Sequence, residues 1–376
     1  MNELIEPDLF ISMREFGADE WQECYHCGHC TAICPLTEKN ILFPRKPIKF
    51  LQMGLRQELE SCVEPWLCYY CGECTEKCPR DANPGELMMT LRRYLTTVYD
   101  WTGYARKIYT SEIWEFISIG VLATFVLALF LLFHGPMTTV LTAEGGVQLN
   151  VFAPARIVHI GDMLMAATVS FFLISNIFNM YRKIVGRNKD LKIPIGVYIK
   201  EFKSLIFNFA SQWKFNKCEG KIYWFLHWFL MSGYVILFIL IVGFLGWFQT
   251  DEIHPWWHPQ RLIGYYATLA LLIGVGYFFY GRIKKSRERL KYSHISDWTF
   301  LVMLFLTALT GILVHFFRIT GLPMPTYYMY VAHLMILFPM IMIEVPFSKW
   351  SHLAYRPVAI YFSNIKEAAL KKKRNS

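Results

Sequence analysis

Six long apolar runs fix most of what this sequence can become. They lie roughly at Ile113–Phe133, Ile157–Tyr181, Ile222–Phe248, Leu262–Tyr280, Trp298–Phe317 and Tyr327–Phe347. Each supplies the roughly 20 mostly apolar residues needed to cross about 30 Å of hydrocarbon. In lipid, helices and closed barrels alone satisfy every backbone N–H and C=O, so runs of this length predict six transmembrane helices. The second is the least clean, because Asp162 and Asn176 sit inside it. Composition agrees: 54% of the 376 residues are hydrophobic and 18% are charged, against about 25% charged in a soluble globular chain. The shortage of charge is local. Residues 1–112 hold 12 of the 38 Lys and Arg and nine of the ten cysteines, and read as an ordinary soluble segment. A wholly soluble enzyme, a secreted disulfide scaffold and a disordered chain are excluded.

Basic residues sort by loop. The segments Arg182–Lys221, Gly281–Asp297 and Ser348–Ser376 together hold 23 Lys and Arg, whereas the three opposite loops and their edges hold Arg156, Arg261 and Arg318. Cytoplasmic loops carry such an excess, so both termini and the cysteine-rich segment are expected in the cytoplasm, and the protein in the inner (cytoplasmic) membrane. Trp247, Trp256-Trp257 and Tyr327-Tyr328 suit an interfacial belt. The net charge of +9 and the basic tail Lys371-Lys372-Lys373-Arg374 call for an anionic lipid surface rather than nucleic acid. The opening Met1-Asn2-Glu3-Leu4 has no basic n-region or apolar h-region, so the first span is expected to lead insertion.

Cysteines fall at Cys24, Cys27, Cys30 and Cys34 before Pro35, and at Cys68, Cys71, Cys74 and Cys78 before Pro79. Each set reads C-x2-C-x2-C-x3-C-P, the bacterial ferredoxin spacing in which the fourth cysteine serves the other cluster. Cys24, Cys27, Cys30 and Cys78 are therefore expected to hold one [4Fe-4S] cluster, and Cys68, Cys71, Cys74 and Cys34 the second. Zinc prefers paired C-x2-C units closing a tetrahedron, and disulfides are rare in the cytoplasm. Cys62 and Cys218 fall outside both motifs; a buried inert thiol is the simpler reading of Cys62. Between the motifs, Pro47–Leu55 leads into Arg56-Gln57-Glu58-Leu59 with helical spacing of apolar residues. A second helix is expected from Asn83-Pro84-Gly85-Glu86-Leu87 to about Tyr99, with Pro84 in its first turn. The segment reads as a helical dicluster ferredoxin.

A chain that sets two clusters beside six spans must pass electrons to something in the bilayer, and intramembrane His is rare enough to be informative. His227 lies five residues into the third span from the cytoplasmic face and His352 at the cytoplasmic end of the sixth. Their similar depth lets them ligate one haem b from opposite sides, since neutral imidazole is a common axial ligand. His333 lies six residues into the sixth span from the outer face, level with His159 and His315. A second haem between His333 and His159, or between His333 and His315, would extend the relay across the bilayer. His26 and His29 stand between cluster cysteines and are read as tuning or covering the cluster. No motif marks a quinone pocket. Asp162, one turn after His159, His315, Arg318 and Glu344 are the candidates for proton exchange there.

The segment Leu226-His227-Trp228 and the stretch from His333-Leu334-Met335 through Pro346-Phe347-Ser348-Lys349-Trp350-Ser351-His352 resemble the gamma subunit of membrane nitrate reductase, a dihaem cytochrome b that oxidises quinol. That resemblance implies pairing of His227 with His352 and a distal-haem role for His333. The family's second histidine, ten residues after the first, is here Leu237, so the distal partner must come from another helix. The N-terminal part, with Pro44-Arg45-Lys46 and Trp66-Leu67-Cys68, resembles the small ferredoxin-like subunit of heterodisulfide reductase. Joined in one chain, the two halves resemble the QmoC family, the membrane subunits of the quinone-interacting membrane-bound oxidoreductase complexes of sulfate reducers. The resemblance implies menaquinone as substrate and, as partners, two cytoplasmic flavoproteins of the heterodisulfide reductase A-like type. It also implies electron flow from menaquinol toward adenylylsulfate (APS) reductase. Two other readings stay open: a cytochrome b subunit of another anaerobic respiratory reductase, and an anchor that only wires its partners. The expected architecture is mainly α: a dicluster ferredoxin-like domain over residues 1–105, a six-helix transmembrane cytochrome b bundle over 106–356, and a basic cytoplasmic tail over 357–376.

Overall fold

A computed structural model describes residues 5–17, 20–37, 42–187 and 193–375. Met1–Leu4, Lys189 and Lys192 of the longest basic loop, and the side chains of Lys373 and Arg374 lie outside the described residues. Helix makes up 75% of the chain, and the described residues contain no strand.

Six helices are long and apolar enough to span a membrane: Glu112–Phe133, Ala155–Ile184, Lys221–Phe248, Pro259–Ile283, Ile295–Ile319 and Pro323–Phe347. Each extends the apolar run by up to about a turn at its ends. Gln260 Nε2 donates to the Trp247 and Phe248 carbonyls at 2.6 and 2.8 Å, satisfying acceptors that the third span's end leaves free. Outward-facing Ile113, Phe116, Val121 and Leu132 on the first span, and Ile160, Leu164 and Phe171 on the second, are exposed. Such faces suit a hydrocarbon solvent. Asn176, inside the second span, is fully buried, and its Nδ2 donates to the Pro346 carbonyl at 3.2 Å. A polar side chain in lipid is thus spent on an acceptor near the end of the sixth span. That span runs as α-helix from Pro323 to Pro339, then as a π-turn over Met340–Glu344 before Val345–Phe347.

The N-terminal part is a set of short helices around Pro84–Tyr99. Pro84 occupies its first turn, and the Asn83 side chain, on a residue in the left-handed region, caps the helix by accepting the Glu86 N–H at 3.3 Å. Leu87, Met88, Leu91 and Leu95 on this helix are fully buried. The expected run through residues 47–59 breaks into Arg45–Gln52 and Arg56–Glu60. Gly54 takes φ +66° at the break, where a Cβ would stand 2.5 Å from the Glu6 carbonyl oxygen. Only glycine fits that left-handed position at that approach.

One hydrophobic core joins this part to the membrane bundle. It runs from Leu9, Trp66 and Leu91 to Met180 and Ile184 at the end of the second span, and to Tyr355, Phe362 and Ile365 of the helix His352–Asn375. Residues 357–375, expected as a basic tail, are part of that last helix. Their buried apolar residues Ala359, Phe362 and Ile365 join this core, which also holds Trp66 and Leu91 of the N-terminal part.

Candidate functional site

The two cysteine motifs share a backbone as well as a spacing. In the first, His26 and Gly28 take φ +57° and +84°; in the second, Tyr70 and Gly72 take +57° and +90°. Each glycine leads into a short helix, His29–Ile33 or Glu73–Glu76. Non-glycine residues rarely adopt positive φ. Here the turn aims an amide at sulfur: the Tyr70 N–H donates to Cys68 Sγ at 3.3 Å, and the His26 amide does the same for Cys24. Such bonds favour the thiolate, the metal-binding form.

The sulfurs close enough to repel one another form two groups that meet at Cys30 and Cys74. Cys24 and Cys30 neighbour Cys27 and Cys78. Cys34 neighbours Cys71, Cys68 neighbours Cys71 and Cys34, and Cys74 neighbours Cys68, Cys71, Cys30 and Cys34. Burial pushes the Cys30 and Cys68 thiols up to about 11, so ligation would have to displace protons there. Cys71 is the exception: it is pushed down, to about 6, chiefly by a hydrogen bond from the Cys218 thiol. Among the described residues no three His, Cys, Asp or Glu side chains close on a single-ion site, as zinc would need. Thiolates on four different irons stand farther apart than four on one ion. The cavity bounded by Cys34, Cys68, Cys71 and Cys74 is also edged by Pro35, Gly72, Gly85 and Met88. This soft, largely apolar donor set fits an iron–sulfur cluster.

A second cavity lies beside it, lined by Tyr69, Asn208, Gln212, His227, His352 and Arg356. The structure thus brings His227 and His352 together, from the third span and from the start of the terminal helix. His227 Nδ1 pairs with Gln212 Oε1 at 2.7 Å, and His352 Nδ1 with the Lys349 carbonyl at 2.6 Å. A carbonyl acceptor requires the proton on Nδ1, which leaves Nε2 as the ligating atom, the usual arrangement for metal-bound imidazole. Burial and the adjacent Arg356 guanidinium hold His352 well below the ordinary imidazole range, keeping it neutral. These residues fit a bis-histidine haem.

The outer histidines are arranged differently. His333 Nδ1 meets Thr310 Oγ1 at 2.9 Å, and a Cβ on Gly311 would stand 3.2 Å from its ring. His159 Nε2 is engaged by the Val242 carbonyl at 3.0 Å. His315 is held between Arg261 Nη1 at 2.6 Å and the Tyr265 hydroxyl at 2.9 Å. Both candidate partners of His333 thus have Nε2 committed elsewhere. Asp162 is buried. Arg318 donates to the Val147, Thr250 and Glu252 carbonyls, tying those two loops to the end of the fifth span. Glu344 is fully buried, and its Oε2 accepts the Lys349 N–H at 3.1 Å.

Tyr69 borders both inner cavities. Its ring centroid is 5.0 Å from Phe215, which is 5.1 Å from His227, and the Arg356 guanidinium lies 4.4 Å over it. The Cys68 carbonyl accepts from Arg92 and, at 3.0 Å, from Arg356. Neither motif nor depth singles out Gln212, Phe215 and Cys218, because they lie in a basic loop far from both. Their regular spacing of three is the available signal.

Residues 20–82 match the family described as the 4Fe-4S dicluster domain. A heterodisulfide reductase C-like protein from Archaeoglobus profundus is 41% identical over 96 residues, 25% of this chain and 51% of that protein. The chain therefore spans about half the length of the curated relative it matches. No solved structure matches. The N-terminal region is an iron–sulfur electron-transfer domain of this kind, and it is carried on a bundle of membrane-length helices.

Proposed function

We propose that this chain is the membrane electron-transfer subunit of a menaquinol-oxidising complex, exchanging electrons between menaquinol and a cytoplasmic flavoprotein. Haem b and two [4Fe-4S] clusters would supply one-electron carriers. The observation that carries the reading is Tyr69, a single side chain shared by the cavity of Cys34, Cys68, Cys71 and Cys74 and the cavity of His227 and His352. Two donor sets with redox-group chemistry, one in the soluble part and one at the membrane helices, are wall to wall.

In this reading Cys24, Cys27, Cys30 and Cys78 hold the outer cluster, and Cys68, Cys71, Cys74 and Cys34 the inner one. His227 and His352 hold one haem with Gln212 and the Lys349 carbonyl orienting their rings, and Arg356 supplies a cation beside it. His333 would serve a second haem, with His159 as partner once its bond to the Val242 carbonyl is given up. The quinone candidates remain Asp162, His315 and Arg318 on the outer side. The loop charges support cytoplasmic termini. The likeness to a heterodisulfide reductase C-like protein supports flavoprotein partners of the heterodisulfide reductase A-like type, with APS reductase as the terminal acceptor by resemblance alone.

Replacing His227 or His352 with Ala should remove one haem b signal from the purified protein's reduced spectrum and leave both cluster EPR signals. Survival of every haem signal in either variant would break the pairing. Titration with a quinol analogue should shift the haem spectrum; an unmoved spectrum would favour a chain that anchors partners without quinone chemistry.

A further inference from the structure

Ten cysteines are present, and eight are accounted for by the two motifs. Cys62 is buried beside Glu64 and Lys46, away from both sets. Cys218 is different. It lies on the short helix Trp213–Glu219 between the second and third spans, yet it lines the same cavity as Cys34, Cys68, Cys71 and Cys74.

We propose that Cys218 is a positioning residue for the inner cluster, its thiol donating a hydrogen bond to the Cys71 sulfur and fixing that cluster against the helix that leads to His227. The proposal rests on reading the second cysteine set as a cluster site. Four cysteines satisfy the four irons of a cubane, so a fifth sulfur at the cavity keeps its proton and acts as a donor. Cys218 and Cys71 are both free thiols. A donor to a ligating thiolate spreads its negative charge, which stabilises the reduced cluster more than the oxidised one and raises its potential.

The local sequence makes the contact part of a strap. Gln212, Phe215 and Cys218 recur at every third residue, so one short segment turns all three toward one side. Gln212 holds His227 Nδ1 at 2.7 Å, Phe215 stands between Tyr69 and His227, and Cys218 lines the cavity of Cys71. The helix then runs through Gly220 into the span that carries His227. One stretch of seven residues therefore touches both donor sets, and it sets the distance between them.

The test is an EPR-monitored redox titration of the full-length, detergent-solubilised protein and its Cys218→Ala and Cys218→Ser variants, with iron assayed in each. The expected result is unchanged iron, a lowered midpoint potential for the inner cluster in Cys218→Ala, a smaller lowering in Cys218→Ser, whose hydroxyl still donates, and an unmoved outer cluster. An inner potential equal to the parent's in both variants would overturn the proposal. So would loss of about half the iron in both, which would make Cys218 a ligand. Absence of the inner cluster's signal and iron from the parent protein would instead break the cluster reading itself.

Discussion

The two cysteine sets have one sequence pattern, one backbone path and opposite surroundings. Around the first, Cys27 is exposed, Tyr25 is 72% exposed, and the nearest ion pair, Arg80 with Glu23, is open to solvent. Around the second, Cys68 is buried, its carbonyl is held by Arg92 and Arg356, and Cys218 adds a fifth sulfur. Tyr70, at the position of His26, is half-buried and donates to Glu86 at 2.6 Å. The motif decides that metal is held; what covers it decides what it can exchange electrons with. An open set suits a docking partner, and an enclosed set that shares Tyr69 with the His227–His352 cavity suits an internal relay. Burial lowers a cluster's potential, whereas cations and sulfur hydrogen bonds raise it. The two arginines and Cys218 therefore offset the cost of enclosing the inner set.

The largest effect should come from the crossed cysteines. Cys34→Ser is expected to abolish the inner cluster's EPR signal and about half the iron while sparing the outer signal, and Cys78→Ser to do the reverse. Loss of the outer signal in Cys34→Ser would dissolve the distinction between the sets, because the fourth cysteines would then serve their own motifs. Arg356→Gln comes next. It removes donors to the Trp66 and Cys68 carbonyls, at 3.1 and 3.0 Å. A buried acceptor left unpaired costs about 1–3 kcal/mol; the Cys68 carbonyl keeps Arg92, so the Trp66 carbonyl bears most of it. Thermal unfolding in detergent should show that loss, and the inner cluster's potential should fall while the outer one stays. A fall in both would mean that Arg356 acts through the fold at large.

What was legible in the sequence follows from what helix geometry fixes. Depth in a bilayer is residue count times 1.5 Å, so the six spans and the shared level of His227 and His352 could be counted. Direction around the helix axis is set by packing. His159 and His333 share a depth, but His159 turns its Nε2 to the Val242 carbonyl. The π-turn at Met340–Glu344 further rotates the end of the sixth span away from a 3.6-residue count. Cysteine motifs are legible because ligands to one cluster recur at fixed local spacing. Cys218 escapes that logic, since it arrives from a loop that only the folded chain brings near. The break at Gly54 is similar: its cause is the Glu6 carbonyl, almost fifty positions away.

The smallest effect is expected at the open set, and it sharpens the contrast by its size. Arg80 Nη2 meets Glu23 Oε2 at 3.0 Å, and its guanidinium lies 4.1 Å from the centroid of the Tyr25 ring. Both side chains of the ion pair are well exposed, 40% and 60%, so water and salt screen the pair. Such contacts contribute about 0–1 kcal/mol. Arg80→Ala should therefore leave the melting temperature nearly unchanged and shift the outer cluster's potential less than Arg356→Gln shifts the inner one's. Any effect should shrink further as salt is raised from low ionic strength, because exposed charges are screened over about 10 Å at 0.1 M. The partner side should behave differently. If the open set is a docking face, Arg80→Ala should slow electron delivery to the flavoprotein partner proposed above more than it changes either cluster. Equal, salt-independent shifts at both sets would remove the distinction between an exposed face and an enclosed relay.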